Sequence, residues 1–192
     1  MKRKPIRIIL LLVFLWLLSY FFMAESGYSF NENKALRNSL PYQDGKVVYQ
    51  KDFGSNKIII WDTANTKYAK VIHTKWGVLH QVRNVSVLLS REPGDAINRT
   101  WSASLNSKKL YETTFAVEVK NANIEKVIIS NDNIDNEISE QLDEIKNNSS
   151  IFIELEVQDG FAVSYNELPV NDVGGFVFRG LDKNGQVITV GR

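Results

Sequence analysis

The sequence predicts a mainly β, α+β fold of antiparallel strands behind one N-terminal transmembrane helix. Three observations predict it. An uncharged apolar run follows a cluster of cations at the N-terminus. Roughly ten short segments rich in Val, Ile, Tyr, Phe and Thr follow, several alternating with period two. Gly-, Asn- and Asp-rich turns separate them. The pattern fits one sandwich-like unit or two small sheet domains in tandem.

The anchor comes first. Lys2, Arg3, Lys4 and Arg7 precede seventeen residues without a charge, Ile8 to Ala24. In lipid every backbone polar group must be satisfied internally, so a single apolar run crosses only as a helix. Seventeen residues span roughly 25 Å at ~1.5 Å each, and a hydrocarbon core is about 30 Å. Pro5 to Arg7 close the deficit if Arg7 snorkels back to the headgroups. The four cations place the N-terminus in the cytoplasm and the body outside, with Tyr20, Phe21 and Phe22 at the outer interface. Residues 1–26 are therefore read as the anchor, touching lipid through 8–24, and 27–192 as an extracytoplasmic body. The alternative is a signal peptide, since Ala24-Glu25-Ser26 resembles a cleavage site before Gly27, and the body would then be secreted. Signal cores run about 7–15 residues, and this run is longer, which favours the uncleaved single-pass anchor.

In the body, Ser29-Phe30-Asn31-Glu32 has the form of a capping box. It predicts a short helix carrying Ala35, Leu36 and Leu40 on one side and stopping at Pro41. Strands are predicted at 46–53 and 57–63 around Gly54-Ser55-Asn56, then at 68–73 and 78–89 around Thr74-Lys75-Trp76-Gly77. Residues 91–99, with Pro93-Gly94, read as a loop and a subdomain boundary. Strands follow at 100–105, 111–120 and 124–129. Ile134, Ile138, Leu142 and Ile145 then recur at helical spacing, predicting a helix near 134–147 with Asp135 and Glu137 at its positive end. Ile151, Ile153, Leu155 and Val157 alternate along another strand, followed by 161–165. A last hairpin, 176–181 and 186–190, turns at Asp182-Lys183-Asn184-Gly185.

Composition narrows the function. There is no cysteine, hence no disulfide, thiolate nucleophile, Cys-ligated metal or lipid-bearing Cys. The net charge of +1 conceals a split. Residues 46–91 hold eight basic and two acidic residues, a local +6, and residues 125–160 hold two basic and ten acidic, a local −8. Such asymmetry suits either an anionic surface or two faces that attract each other. The near-neutral total and the extracytoplasmic placement exclude nucleic acid as a partner.

Ser39 to Lys51 (SLPYQDGKVVYQK), Lys75-Trp76-Gly77-Val78-Leu79 and the closing Leu181-Asp182-Lys183-Asn184-Gly185-Gln186-Val187-Ile188 resemble segments of membrane-anchored extracytoplasmic proteins of Bacillus-type bacteria. That group has no assigned activity. The resemblance implies location and β architecture and carries over no functional residues.

No set of residues assembles a familiar chemical site. His73 and His80 lack a third metal ligand, and Gly-x-Ser-x-Gly is absent. Asn131, Asn133, Asp135 and Glu137 alternate like calcium ligands, but Asn136 and Leu142 stand where an EF-hand needs Gly and Glu. Glu154 and Glu156 share one strand face, the wrong arrangement for a glycosidase pair. Gly174-Gly175 lacks the rest of a phosphate loop. Trp61, Trp76 and Trp101, with Tyr49 and Tyr68, are candidates for a ligand-stacking platform. The expectation is a non-enzymatic envelope protein without cofactor or metal, binding a protein or wall component. The alternatives are a carboxylate-based hydrolase of wall polymers and an accessory subunit of a membrane complex.

Overall fold

A computed structural model describes residues 3–40, 44–132 and 138–191; in the first helix it describes side chains at 6, 8–21, 25 and 26. Among the described residues the chain is mainly β, with eleven strands in three antiparallel sheets and few helices.

Helix α1 (Arg3–Ser26) is followed by α2 (Glu32–Arg37). Sheet A contains β1 (Lys46–Phe53), β2 (Asn56–Asp62), β3 (Lys67–Lys75) and β4 (Leu79–Val87) in sequence order. Sheet B contains β5 (Ile97–Leu105), β6 (Tyr111–Val119) and β9 (Phe161–Leu168), with β6 in the centre. Sheet C has the order β11-β10-β7-β8, formed by β7 (Lys126–Ser130), β8 (Phe152–Glu156), β10 (Val177–Leu181) and β11 (Val187–Gly191). Helix α3 (Leu142–Asn148) precedes β8.

The alternation of side chains stacks the sheets in the order A, B, C. Ile58, Ile60, Ala69 and Val71 of sheet A cluster with Ala116, Phe161 and Val163 of sheet B. The other face of sheet B, through Phe115, Val117 and Ala162, clusters with Val127, Ile129 and Phe178 of sheet C. Sheet B is thus apolar on both faces, which is why Phe115, Ala116 and Val117 are consecutively buried. The outer face of sheet A, with Ile59, Trp61 and Ile72, is covered by Leu36 of α2.

Several expectations change. The N-cap of α2 is Asn31, whose Oδ1 accepts from Lys34 N, because Ser29 is occupied in a backbone bridge to His80. α2 ends at Arg37, so Leu40 lies beyond it and is exposed; Pro41, the predicted stop, lies outside the described residues. β5 begins at Ile97, inside the predicted loop 91–99. Ile97 is buried, Arg99 bridges Leu89, and Asn98 donates to Glu118, so these polar residues continue a strand. α3 begins at Leu142, with Asp143 and Glu144 as its first-turn acids. Residues 133–137, with Ile134, Asp135 and Glu137, lie outside the described set.

α1 is twenty-four residues long, and its apolar side chains from Ile6 to Phe21 are 41–66% exposed all round. Among the described residues no helix is long and apolar enough to cross a membrane. Lys2 and the side chains of Arg3, Lys4 and Arg7 are not among those described.

Candidate functional site

The three tryptophans do not converge. Trp61 is buried between sheet A and α2, where the Lys70 ammonium lies 5.2 Å from its ring centroid. Trp101 sits on β5 with its ring edge-on to Phe176 at 5.1 Å. Trp76 is at the β3–β4 turn and is 78% exposed. Tyr49 belongs to the buried cluster between sheets A and B, and Tyr68 packs against the cluster under α2. A stacking platform built from these five residues is absent.

The two histidines also part. Thr74 pairs with His80 and His73 with Gln81, so the imidazoles leave opposite faces of sheet A. His80 Nδ1 lies 3.1 Å from Thr74 Oγ1. His73 Nδ1 lies 2.9 Å from Asn56 Oδ1, which makes it the donor in the neutral ring. Among the described residues no three His, Asp or Glu side chains gather as metal ligands. Asn131 of the calcium-like string fixes the start of β8, accepting from Ile151 N at 2.8 Å and donating to Ser150 Oγ at 2.8 Å. Glu154 and Glu156 both lean on Lys126, at 2.6 and 3.3 Å. They compete for one surface cation and do not span a cleft.

A polar group at one end of the A–B interface was not singled out in the sequence. His73 and Arg83 come from sheet A, and Glu112 and Tyr165 from sheet B. Arg83 Nη1 stands 4.0 Å from Glu112 Oε2. Burial, the charge of Glu112 and a hydrogen bond to it push the Tyr165 phenol far above its ordinary range. Burial, and next Arg83, hold the His73 imidazole below its ordinary value despite Glu112. A neutral imidazole and a firmly protonated phenol satisfy the sheet interface. A phenol held so high is a poor nucleophile, and the His73 Nδ1 proton is already engaged by Asn56.

Two buried cations were also missed. Arg179 and Lys70 are both 0% exposed. Arg179 Nη1 and Nη2 reach Asp132 Oδ1 and Oδ2 at 3.0 and 2.7 Å, Nη1 also donates to Ser130 Oγ at 2.7 Å, and Nε donates to Ser139 O at 3.0 Å. Burial alone raises the Asp132 carboxyl, but Arg179 and Ser130 more than reverse it and hold it below the ordinary carboxylate value. Lys70 Nζ donates to Leu36 O at 3.0 Å and Ser39 Oγ at 2.8 Å, and burial lowers its pKa to about 8. Each cation interrupts an apolar strand run, Val71-Ile72 following Lys70 and Val177-Phe178 preceding Arg179, but the run alone does not say that the cation is covered.

A concavity of another kind lies beside the first helix. A hollow of about 930 Å³ lies between α1 and α2, walled by Trp16, Ser19 and Tyr20 on one side and by Phe30, Lys34 and Asn38 on the other. It gathers aromatic rings with the Lys34 ammonium and the Glu25 carboxylate, a set suited to amphipathic ligands. No family model, curated protein or solved structure is similar to this chain.

Proposed function

We propose that this chain is a non-enzymatic, membrane-anchored envelope protein whose β body acts outside the cytoplasm as an interaction module. One observation carries the reading: α1 exposes apolar side chains on every side. A helix apolar all round belongs inside a protein or a bilayer, and among the described residues no sheet covers it. The described apolar side chains of α1 stop at Phe21, so a span of a hydrocarbon core of about 30 Å requires the uncharged run to continue through Ala24. The uncharged run from Ile8 to Ala24 and the cations before it set the direction, N-terminus inside. The body supports a binding role because its buried charges close its own layers while large apolar side chains such as Trp76, Val78 and Leu89 stay exposed.

The test is crosslinking in intact cells, with intact-mass measurement of the membrane fraction. The expected result is an uncleaved N-terminus in the membrane and a captured protein or wall partner. A mass corresponding to a chain beginning at Gly27 would overturn the anchor. Capture of lipid alone would overturn the partner.

A further inference from the structure

The charges sort by layer. Residues 46–91, with their local +6, build sheet A, and the described residues of 125–160, with eight acidic and two basic side chains, build β7, α3 and β8 around the opposite layer. α1 leaves from the basic side. Gln81 Nε2 of β4 donates to Ser26 O at 2.7 Å, and Ser29 and His80 exchange backbone hydrogen bonds of 2.9 and 2.8 Å. The C-terminal half of α1, and Lys34 and Ala35 of α2, line the same hollow. If α1 spans lipid, α2 and the β3–β4 turn stand next to the headgroups.

That side of the body has the right chemistry. Phe30 beside α2 is 66% exposed, and Lys34 and Arg37 of α2 are also exposed. At the turn, Trp76 is 78% and Val78 53% exposed, and the Lys75 ammonium lies 4.5 Å from the Trp76 ring centroid. The Ser29–His80 pairing brings Phe30 opposite Leu79, next to Val78. Trp76 has φ of +54°, a turn conformation that Gly or Asn adopts with less strain and a bulky aromatic rarely does. The turn therefore holds its largest side chain out into solvent at a conformational cost. Interleaved rings and cations are what lodges at the interface of an anionic bilayer.

We propose that the Lys75-Trp76-Gly77-Val78 turn, with Phe30 and the cations of α2, is a second membrane contact that docks the body on anionic lipid headgroups. It rests on the reading of α1 as the anchor and adds an orientation: sheet A toward the bilayer, sheet C away. The chain has no cysteine, so single cysteines report without background. The full chain carrying Val78→Cys, Leu15→Cys or Lys183→Cys is labelled with a polarity-sensitive fluorophore. Each is reconstituted in vesicles of phosphatidylcholine with or without phosphatidylglycerol, then exposed to lipid-borne and aqueous quenchers. The expected result is lipid-borne quenching at 15 in all vesicles, at 78 when phosphatidylglycerol is present, and at 183 in neither. Lys75→Gln lowers the docked fraction at 78 about fivefold, the factor matching ~1 kcal/mol per cation at an anionic surface. Lipid quenching at 15 with only aqueous quenching at 78 overturns the docking and leaves the anchor intact. Aqueous quenching at 15 removes both. Shielding at 78 that rises with protein concentration in lipid-free detergent means that the turn meets a protein, and likewise overturns the proposal.

Discussion

Arg179 and Lys70 occupy matching positions at opposite ends of the stack and are held in opposite ways. Each is fully buried on a strand of an outer sheet, and each bonds a segment that covers it. Arg179 meets the Asp132 carboxylate in a two-pronged pair and also bonds Ser130 and Ser139. Lys70 meets a helix-end carbonyl, a hydroxyl and an indole face, with no carboxylate among its described partners. The guanidinium cannot shed its proton, so its burial needs a counter-charge. The ammonium can shed one, so α2 is fastened by a group whose charge depends on pH. The basic layer, nearest α1, is thus fastened more weakly than the acidic one.

Breaking the stronger side gives the largest effect. Asp132→Ala leaves Arg179 buried without its counter-charge and is expected to cost about 3–5 kcal/mol, read from urea unfolding of the body at neutral pH. Asp132→Leu combined with Arg179→Met should recover most of that loss, because a buried pair replaced by apolar groups is often neutral. The pH arm follows from the same pair. The folded Asp132 carboxyl titrates below its ordinary value near 3.8, so its contribution is complete above that value and is lost as pH falls through the folded pKa. A double variant whose stability still drops as steeply with acid as that of the parent would show that the pair is not the acid-sensitive contact.

The weaker side sharpens the contrast from the alkaline end. The folded pKa of Lys70 is about 8 against an ordinary value of 10.5, so the unfolded chain binds more protons across that window. Stability attributable to Lys70 therefore rises as pH climbs from 8 to 10.5, by on the order of 3 kcal/mol at about 1.4 kcal/mol per unit. In Lys70→Met this increment is absent, and the two unfolding curves approach each other toward high pH. Parallel curves would mean that the hydrogen bonds Lys70 donates to Leu36 O and Ser39 Oγ compensate the burial fully.

The strands were legible in the sequence and the charged fasteners were not, for a physical reason. Alternation of Ile151, Ile153, Leu155 and Val157 reports a face directly, and those residues pack against one core cluster. In Tyr111 to Val119 the alternation predicts a half-buried strand, but Thr113 to Val117 are all buried because both faces of sheet B are covered. A lysine or arginine in such a run reads as an edge or a solvated face. Whether it is covered depends on residues elsewhere, α2 for Lys70 and Ser130, Asp132 and Ser139 for Arg179. Ser29 failed as a cap for the same reason, because its backbone is engaged by His80 fifty-one positions away. Trp61 shows the converse: its aromatic character suggested a ligand platform, but α2 covers the ring.

Gly45→Ala probes the ring beneath Lys70. An added Cβ would stand 2.5 Å from Trp61 Nε1 and 2.6 Å from the Asp62 carbonyl oxygen. The indole can shift but the backbone oxygen cannot, so the expected cost is about 1–3 kcal/mol, as for other overpacked sites. If the indole moves off the ammonium, the alkaline increment of Lys70 changes with it. An unchanged increment would remove the ring from the account of that site.

The smallest change is the most discriminating. Ser39→Ala deletes one acceptor of Lys70 and the hydroxyl that itself donates to Leu36 O at 2.7 Å, while leaving the Lys70–Leu36 bond in place. The neutral-pH cost should be about 1 kcal/mol, that of one hydrogen bond. The loss falls on the charged amine more than on the neutral one, because a hydroxyl oxygen accepts more strongly from an ammonium. The Lys70 pKa therefore drops further, and the alkaline increment starts at lower pH and grows. A uniform loss at every pH would mean that Ser39 serves the end of α2 and not the cation. Lys70 would then be fastened by Leu36 and the indole alone.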